Sequence, residues 1–271
     1  MNTVADVLAE ARARGVDRLD AQLLLGHALK RPRSWLLAND EATLDDGQQQ
    51  LLRSFIDRRA RGEPLAYLLG EKEFHGLVLR VSPAVLVPRP DTETLVDWAL
   101  ELMRSRTAPS VLDMGTGSGA IALALKHSHP QARVSAIDAS AEALAVASDN
   151  AKRLALDIRL QLSDWWQGVA GQRFDFIISN PPYIAGGDVH LAALQHEPML
   201  ALTPGGDGLN ALRHIVAGAT QHLEAESWLL LEHGHDQGQA VTALLHERGF
   251  RSVTSRHDLA DHTRCTGGRC G

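Results

Sequence analysis

Cysteine is nearly absent from this 271-residue sequence: only Cys265 and Cys270 occur, with four residues between them in a Gly-rich C-terminal stretch. A zinc site built on them would need further ligands, with His257 and His262 nearby in sequence; no metal is assigned, and the pair reads as incidental thiols of a reducing compartment. No apolar run approaches the length of a membrane span, and Met1 to Glu10 carries acids where a signal peptide would carry a basic segment and an apolar core. A cytoplasmic protein that touches no membrane is the expectation. Basic excess is missing as well. The 27 Lys and Arg are outnumbered by 33 Asp and Glu, a net charge of −6, which argues against a chain that wraps bare nucleic acid over a wide surface. What is present, 44% hydrophobic and 22% charged residues, suits a globular protein of one large or two smaller domains.

Residues 1–73 read as helical throughout. Thr3 can cap a helix carrying Val4, Val7, Leu8 and Ala11, and Leu19, Leu23, Leu24, Ala28 and Leu29 repeat at helical spacing. From Gln48 to Arg61, Leu51, Leu52, Phe55 and Ile56 share one face, while Arg53, Asp57, Arg58, Arg59 and Arg61 occupy the other as a solvated surface or a docking patch. Pro64 and Gly70 bracket a last short helix. With no catalytic cluster, this bundle reads as a substrate-docking domain. The pattern then turns to period two: Leu77, Leu79 and Val81 alternate, and Val85 to Val87 leads into Pro88-Arg89-Pro90-Asp91-Thr92-Glu93, which suggests a hairpin linker over residues 74–93. Asp91 and Glu93 either project from that stiff connector or cap the helix Thr94 to Arg104.

Over residues 94–271 strands and helices alternate. Ser110 to Met114 is a strand, Gly115-Thr116-Gly117-Ser118-Gly119 a glycine-rich turn, and Ala120 to His127 the start of a helix, a unit in which missing Cβ atoms let a ligand approach the backbone. Arg133 to Ile137 is the next strand. It ends at Asp138, about twenty residues beyond the turn, where a carboxylate can accept from both hydroxyls of a ribose. A dinucleotide fingerprint would place the third glycine one residue later. Ile158 to Leu162, Ser227 to Glu232 and Phe250 to Ser255 are further strands, with an antiparallel pair possible at the C-terminus, and Ala211 to Leu223 and Gln237 to Arg248 are helices. Residues 184–207, with Gly186-Gly187 and Gly205-Gly206, read as a long mobile connection able to fold over a bound peptide.

The stretch Phe174 to Tyr183 holds the chemistry. Phe174 to Ser179 reads as an inner strand, and Pro181 and Pro182, lacking N–H donors, must end it at Asn180. An isolated Asn-Pro is as readily a plain turn. In this setting the Asn180 side-chain oxygen and the Pro181 carbonyl can each accept one N–H of a substrate NH₂, and Tyr183 can stack on the flat face of its amide. An amide nitrogen is a poor nucleophile that no side chain deprotonates at neutral pH, so direct transfer to it must rest on geometry, with the proton leaving after the new bond forms.

Gly115, Gly117 and Gly119, preceded by Asp113, resemble the loop of class I S-adenosylmethionine-dependent methyltransferases, whose ligand carries no phosphate. The whole chain resembles one family within that class, the peptide chain release factor N5-glutamine methyltransferases. The segments that carry the resemblance are Gly62 to Gly70, Arg89 to Glu93, Asp113 to Gly119, Asn180 to Tyr183, Glu197-Pro198, Asp207 to Leu209 and Leu231 to Gly234. It implies an α/β fold, a Rossmann-like and mostly parallel seven-stranded sheet preceded by a small helical bundle. It implies S-adenosyl-L-methionine as cofactor, bound by Gly115, Thr116, Gly117, Ser118, Gly119, Asp138 and Asn180, with adenine between Asp164 and Trp165, although a Trp here can equally be core. The substrate implied is the glutamine of a release factor Gly-Gly-Gln motif, bound by Asn180, Pro181, Pro182 and Tyr183, of which Asn180, Pro181 and Tyr183 carry catalysis. A monomer is expected. The cysteines of the tail depart from the family pattern. An Asn-Pro-Pro-Tyr corner also serves methyltransferases of nucleic-acid adenine N6 or cytosine N4, which act on a flipped base, and a relative acting on a ribosomal-protein glutamine would differ only in its partner-facing helices.

Overall fold

A computed structural model describes residues 3–271; Met1 and Asn2, the start of the stretch read for a targeting signal, lie outside the described residues. The chain divides into two compact units, one ending at Glu71 and one beginning at Lys72. The first contains α1 (Val4–Ala13), α2 (Arg18–Leu29), α3 (Arg33–Ala38), α4 (Asp46–Ala60) and α5 (Leu65–Leu69). Thr3 opens α1 with a reciprocal cap: its hydroxyl accepts from the Asp6 N–H while the Asp6 carboxylate accepts from its own N–H. Asp45 and Gln48 do the same for α4. The helical spacing of apolar residues places Val4, Val7, Leu25, Leu36, Leu52 and Ile56 in one core, with Leu24, Phe55 and Leu68 in a second cluster. On the polar side of α4, Arg58 pairs with Glu63 and Arg59 with Asp20.

The second unit opens with a hairpin of β1 (Glu71–Phe74) and β2 (Leu77–Arg80). The expected partner for the 77–81 strand was the 85–87 stretch, and the pairing differs. His75 and Gly76 both adopt the left-handed conformation, φ 50° and 78°, the two-residue turn that joins twisted strands tightly. Val85 to Val87 sits between Pro83 and Pro88 and forms no strand. Beyond a 3-10 turn at Pro90–Thr92 the chain runs through α6 (Glu93–Met103), β3 (Ser110–Met114), α7 (Ala120–Ser128), β4 (Arg133–Asp138), α8 (Ala141–Leu154), β5 (Arg159–Leu162), β6 (Phe174–Ser179), α9 (Met199–Leu202), α10 (Asn210–His222), β7 (Leu223–Glu232), α11 (Gly238–Glu247), β8 (Arg251–His257) and β9 (Thr263–Arg269).

The seven-stranded sheet has the order β5-β4-β3-β6-β7-β9-β8. Only β9 runs against its neighbours. Strand residues alternate between two cores: Val111, Phe176, Ile178 and Leu230 pack with α6 and α7, and Leu112, Met114, Ile177, Leu229 and Leu231 pack with α10 and α11. The Gly-rich tail is therefore an interior strand. A Cβ on Gly267 would lie 2.7 Å from the Leu229 carbonyl and 2.8 Å from the Trp98 ring of α6, so only glycine fits beneath that helix. Both cysteines are free, Cys265 buried and Cys270 half-buried, and among the described residues no group of three or more His, Cys, Asp or Glu is placed to hold a metal ion. No described helix is long and apolar enough to cross a membrane.

Because β4 and β5 lie on one side of β3 and β6 and β7 on the other, the chain reverses its winding between β3 and β6. Loops after such a pair of strands diverge and leave a crevice at their carboxyl ends. The glycine turn follows β3 and the Asn180 corner follows β6, so the topology opens the cavity between the two motifs.

Candidate active site

Met114 and Ser179, the last residues of β3 and β6, are register partners, and the Ser179 hydroxyl donates to the Met114 carbonyl at 2.6 Å. This cross-link holds the glycine turn and the asparagine corner side by side. Between them lies a cavity of about 420 Å³, lined among others by Gly115, Thr116, Gly117, Ser118, Asp138, Asp164, Trp165, Asn180 and Pro182. The size is that of a small-molecule pocket.

The glycine turn is anchored from below. Gly115 and Thr116 N–H groups both donate to the Ile137 carbonyl, the Gly117 N–H to Asp138 Oδ2 at 2.8 Å, and the Thr116 hydroxyl to Asp113 Oδ2 at 2.6 Å. Gly115 and Gly117 have φ of 77° and 55°, with nothing within 4 Å of where a Cβ would stand. They form an open cradle. Gly119 lines no part of the cavity; its φ is 84°, and a Cβ there would meet Leu123 at 3.0 Å and Ala147 at 3.3 Å, so it lets α7 pack closely. Burial pushes the Asp113 carboxyl up to about 7, against hydrogen bonds from Thr116 and the Ala122 N–H that lower it.

Asp138 Oδ1 also accepts from the Ser140 N–H, at 2.9 Å. Each of its oxygens keeps one further lone pair for a ligand hydroxyl. Ser163 takes the Gly168 N–H and donates to the Trp165 carbonyl at 2.6 Å. That bend puts Trp165 at φ 49° and turns it to the cavity, while its neighbour Trp166 stacks on His222 at 4.7 Å. The two tryptophans thus divide the roles of pocket wall and packing.

At the corner, the Asn180 Nδ2 donates to Thr92 Oγ1 at 3.1 Å. Pro181 is buried, and Pro182 faces the cavity. Tyr183 is not among the lining residues: its ring packs with the β6–β7 core, and its hydroxyl donates to Glu232 Oε1 at 3.2 Å. Glu232 is 1% exposed, and its Oε2 has no hydrogen-bond partner among the described residues. Burial pushes its carboxyl up to about 7, against the Arg264 charge and the bond from Tyr183.

Several residues that shape the site carried no role in the sequence reading. Thr92 and Arg89 line the cavity. Glu197, 5% exposed, accepts from the Val87 N–H at 3.0 Å and pairs with Arg89, which ties the 189–202 segment to the proline-rich stretch. That segment is more ordered than the mobile connection expected, with a 3-10 helix at Val189–Leu194 and α9, because this buried carboxylate needs fixed donors. Asp91 and Glu93 cap nothing: Glu93 accepts from the His75 N–H and Asp91 faces Arg264 at 3.3 Å. Behind the corner, a Cβ on Gly208 would lie 2.3 Å from the Tyr183 carbonyl, and Gln237 joins Tyr183 to Gly234 through 2.9 Å bonds at each end. Signals such as Glu197-Pro198 and Asp207-Gly208 are legible as motifs, but their partners are remote in sequence.

Residues 92–226 match the model of the methyltransferase small domain, and residues 1–70 that of the PrmC N-terminal domain. The chain is 48% identical over 99% of its length, and 99% of the relative's, to a release factor glutamine methyltransferase of Bordetella pertussis. It is 46% identical to another of Pseudomonas aeruginosa, over 93% of this chain and 92% of that one. Among solved structures, a ribosomal protein L11 methylase from Lactobacillus delbrueckii subsp. bulgaricus superimposes with a TM-score of 0.52 at 20% identity, covering 71% of this chain and 84% of that one. A T. thermophilus 16S rRNA methyltransferase in complex with AdoMet and guanosine gives 0.55 at 19% identity, covering 74% and 50%. The structural likeness bears out the class I methyltransferase fold, and the full-length identity goes further: the chain belongs to the release factor glutamine methyltransferases.

Proposed function

We propose that this protein transfers a methyl group from S-adenosyl-L-methionine to N5 of the glutamine in the Gly-Gly-Gln motif of a peptide chain release factor. One observation carries the reading: a cradle of bare backbone with an acid beside it opens into the same cavity as a carboxamide whose oxygen is left unclaimed. The site suits the cofactor. Gly115 and Gly117 leave room for a ligand against the backbone, Asp138 retains acceptor capacity for a ribose, and Trp165 offers a flat wall for adenine with Asp164 alongside. Thr116 and Ser118 complete the turn. Bound there, S-adenosylmethionine supplies an electrophilic methyl.

The chain's own part is orientation. Asn180 Oδ1 and the Pro181 carbonyl would each accept one N–H of the glutamine amide, holding the nitrogen lone pair toward the cavity. The nitrogen gains a methyl and loses one proton, which leaves once alkylation has made it strongly acidic. Tyr183 serves here through its hydroxyl and its packing as part of the corner's frame. The protein nature of the substrate is supported by Met199 and Leu200 on α9, 50% and 83% exposed, of which Leu200 stands on the cavity rim. We assign docking of the release factor to residues 1–73, with 74–93 as the connector and 94–271 as the methyltransferase domain, the whole acting as a cytoplasmic monomer.

The test is to incubate the purified protein with labelled S-adenosylmethionine and a release factor and to locate the label by mass spectrometry. One methyl on the Gly-Gly-Gln glutamine is expected, and none on a Gln→Asn release factor. Label on another residue, or on RNA or DNA, rejects the reading.

A further inference from the structure

We propose that Arg89, held in place by Glu197, is the residue that receives the α-carboxylate of S-adenosyl-L-methionine. The inference rests on the cofactor reading above and concerns the end of that molecule which Asp138, Asp164 and Trp165 leave without a partner.

The carboxylate is the cofactor's one negative group, and the acids that line the cavity, Asp138, Glu142 and Asp164, repel such a charge. Arg89 is the one cationic side chain among the described residues that line it. Its place in the fold suits the amino-acid arm. The sheet order β5-β4-β3-β6 sets Asp138, the last residue of β4, and Asp164, just past β5, to one side of the glycine turn, and Asn180, just past β6, to the other. Arg89 belongs to the Asn180 side: the Thr92 N–H donates to the Arg89 carbonyl at 3.1 Å, and the Thr92 hydroxyl accepts from Asn180. A ligand with its ribose at Asp138 and its methyl near Asn180 therefore carries its remaining arm, which branches from the same sulfur as the methyl, past Arg89.

The guanidinium is also set in advance. Glu197 is buried, and both of its oxygens are engaged, Oε2 by the Val87 N–H at 3.0 Å and Oε1 by Arg89 Nη2. That makes it a fixed post. A long side chain tied to such a post has given up much of its rotamer freedom before a ligand arrives, which lowers the cost of binding. Arginine has five N–H groups in one plane, of which Glu197 takes one, and Arg89 is half-buried, so an edge of that plane is left for a second carboxylate. The pair with Glu197 carries no net charge. The ligand carboxylate is thus held by directed hydrogen bonds more than by the field, and a point charge on a flexible stem is a poor replacement.

The experiment is a calorimetric titration of the full-length protein with S-adenosylmethionine and with decarboxylated S-adenosylmethionine, which lacks only the carboxylate, without any methyl acceptor present. Arg89→Met keeps the stem and removes the fork; the affinity ratio between the two ligands should fall about tenfold or more from its wild-type value, while affinity for the decarboxylated ligand stays within about threefold. Arg89→Lys should recover only part of the ratio. An unchanged ratio in Arg89→Met overturns the proposal. So does an equal loss for both ligands, which would make Arg89 only a brace for the 189–202 segment, and so does a cofactor titration like wild type's with a raised KM for the release factor, which would place Arg89 at the acceptor. A wild-type protein that binds neither ligand removes the cofactor reading instead.

Discussion

Asn180 and Asp138 line the same cavity, and the proposed roles assign them to different ligands. Asn180→Ala removes the acceptor proposed to hold the reacting amide, so turnover should fall about 100-fold or more, the range for losing one preorganised polar contact, while S-adenosylhomocysteine affinity stays within about threefold. Asp138→Ala should do the reverse in binding, weakening S-adenosylhomocysteine by about tenfold or more, as expected when a charged hydrogen-bond partner is lost. Calorimetric titration beside single-turnover kinetics separates the two; an unchanged titration would take Asp138 out of the ribose site, and equal turnover would take Asn180 out of the amide site. Both residues were legible in the sequence, because strand ends and glycine spacing point to them. Thr92 was not, since its significance lies in a bond to a residue 88 positions away.

At the scale of elements, the register between β3 and β6 and the close approach of α6 to β9 do the positioning. Gly267→Ala would press a methyl into the Leu229 carbonyl, the Leu230 side chain and the Trp98 ring, at 2.7, 2.6 and 2.8 Å. Overpacking of that kind costs about 1–3 kcal/mol, readable as a lower urea midpoint. An unchanged midpoint would mean that α6 can lift away from the strand without cost. The hairpin illustrates how sequence reading errs on such contacts. Period-two alternation located β2, but Glu71 to Phe74 shows too little apolar alternation to announce its partner, and the two-residue His75-Gly76 turn decided the pairing. The antiparallel pair expected at the C-terminus is formed by β8 and β9; what the sequence did not announce is that its glycines lie inside the sheet, for a reason that resides in Trp98.

For the molecule as a whole, buried carboxyls shape the response to pH. Asp113 and Glu232 are pushed by burial from 3.8 and 4.5 up to about 7. Native protein therefore holds more protons than unfolded chain between about pH 4 and about pH 7, and stability should fall as pH rises through that window and level off above it. Asp207, held down to about 2 by its bond to Arg213, contributes in the other sense: its share is present above about pH 4 and is lost as pH falls toward 2. Glu232→Gln should show a shallower loss of stability between about pH 5 and about pH 7 than wild type in urea unfolding; an identical slope would mean that Glu232 titrates in the folded protein as it does unfolded.

Local sequence by itself determined the elements and the chemistry of each motif: where helices start, where β6 must stop because prolines cannot donate, which glycines leave backbone bare, and which acid follows the second strand of the nucleotide-binding unit. These follow from nearest-neighbour constraints on dihedrals, donors and burial. The tertiary structure alone decided that the two motifs share one cavity, through the winding reversal between β3 and β6, and that the Asn180 amide points its oxygen outward. That last orientation rests on the bond from Asn180 Nδ2 to Thr92, 88 residues earlier in the chain; no local rule reaches so far, since only folding brings such groups within hydrogen-bond distance.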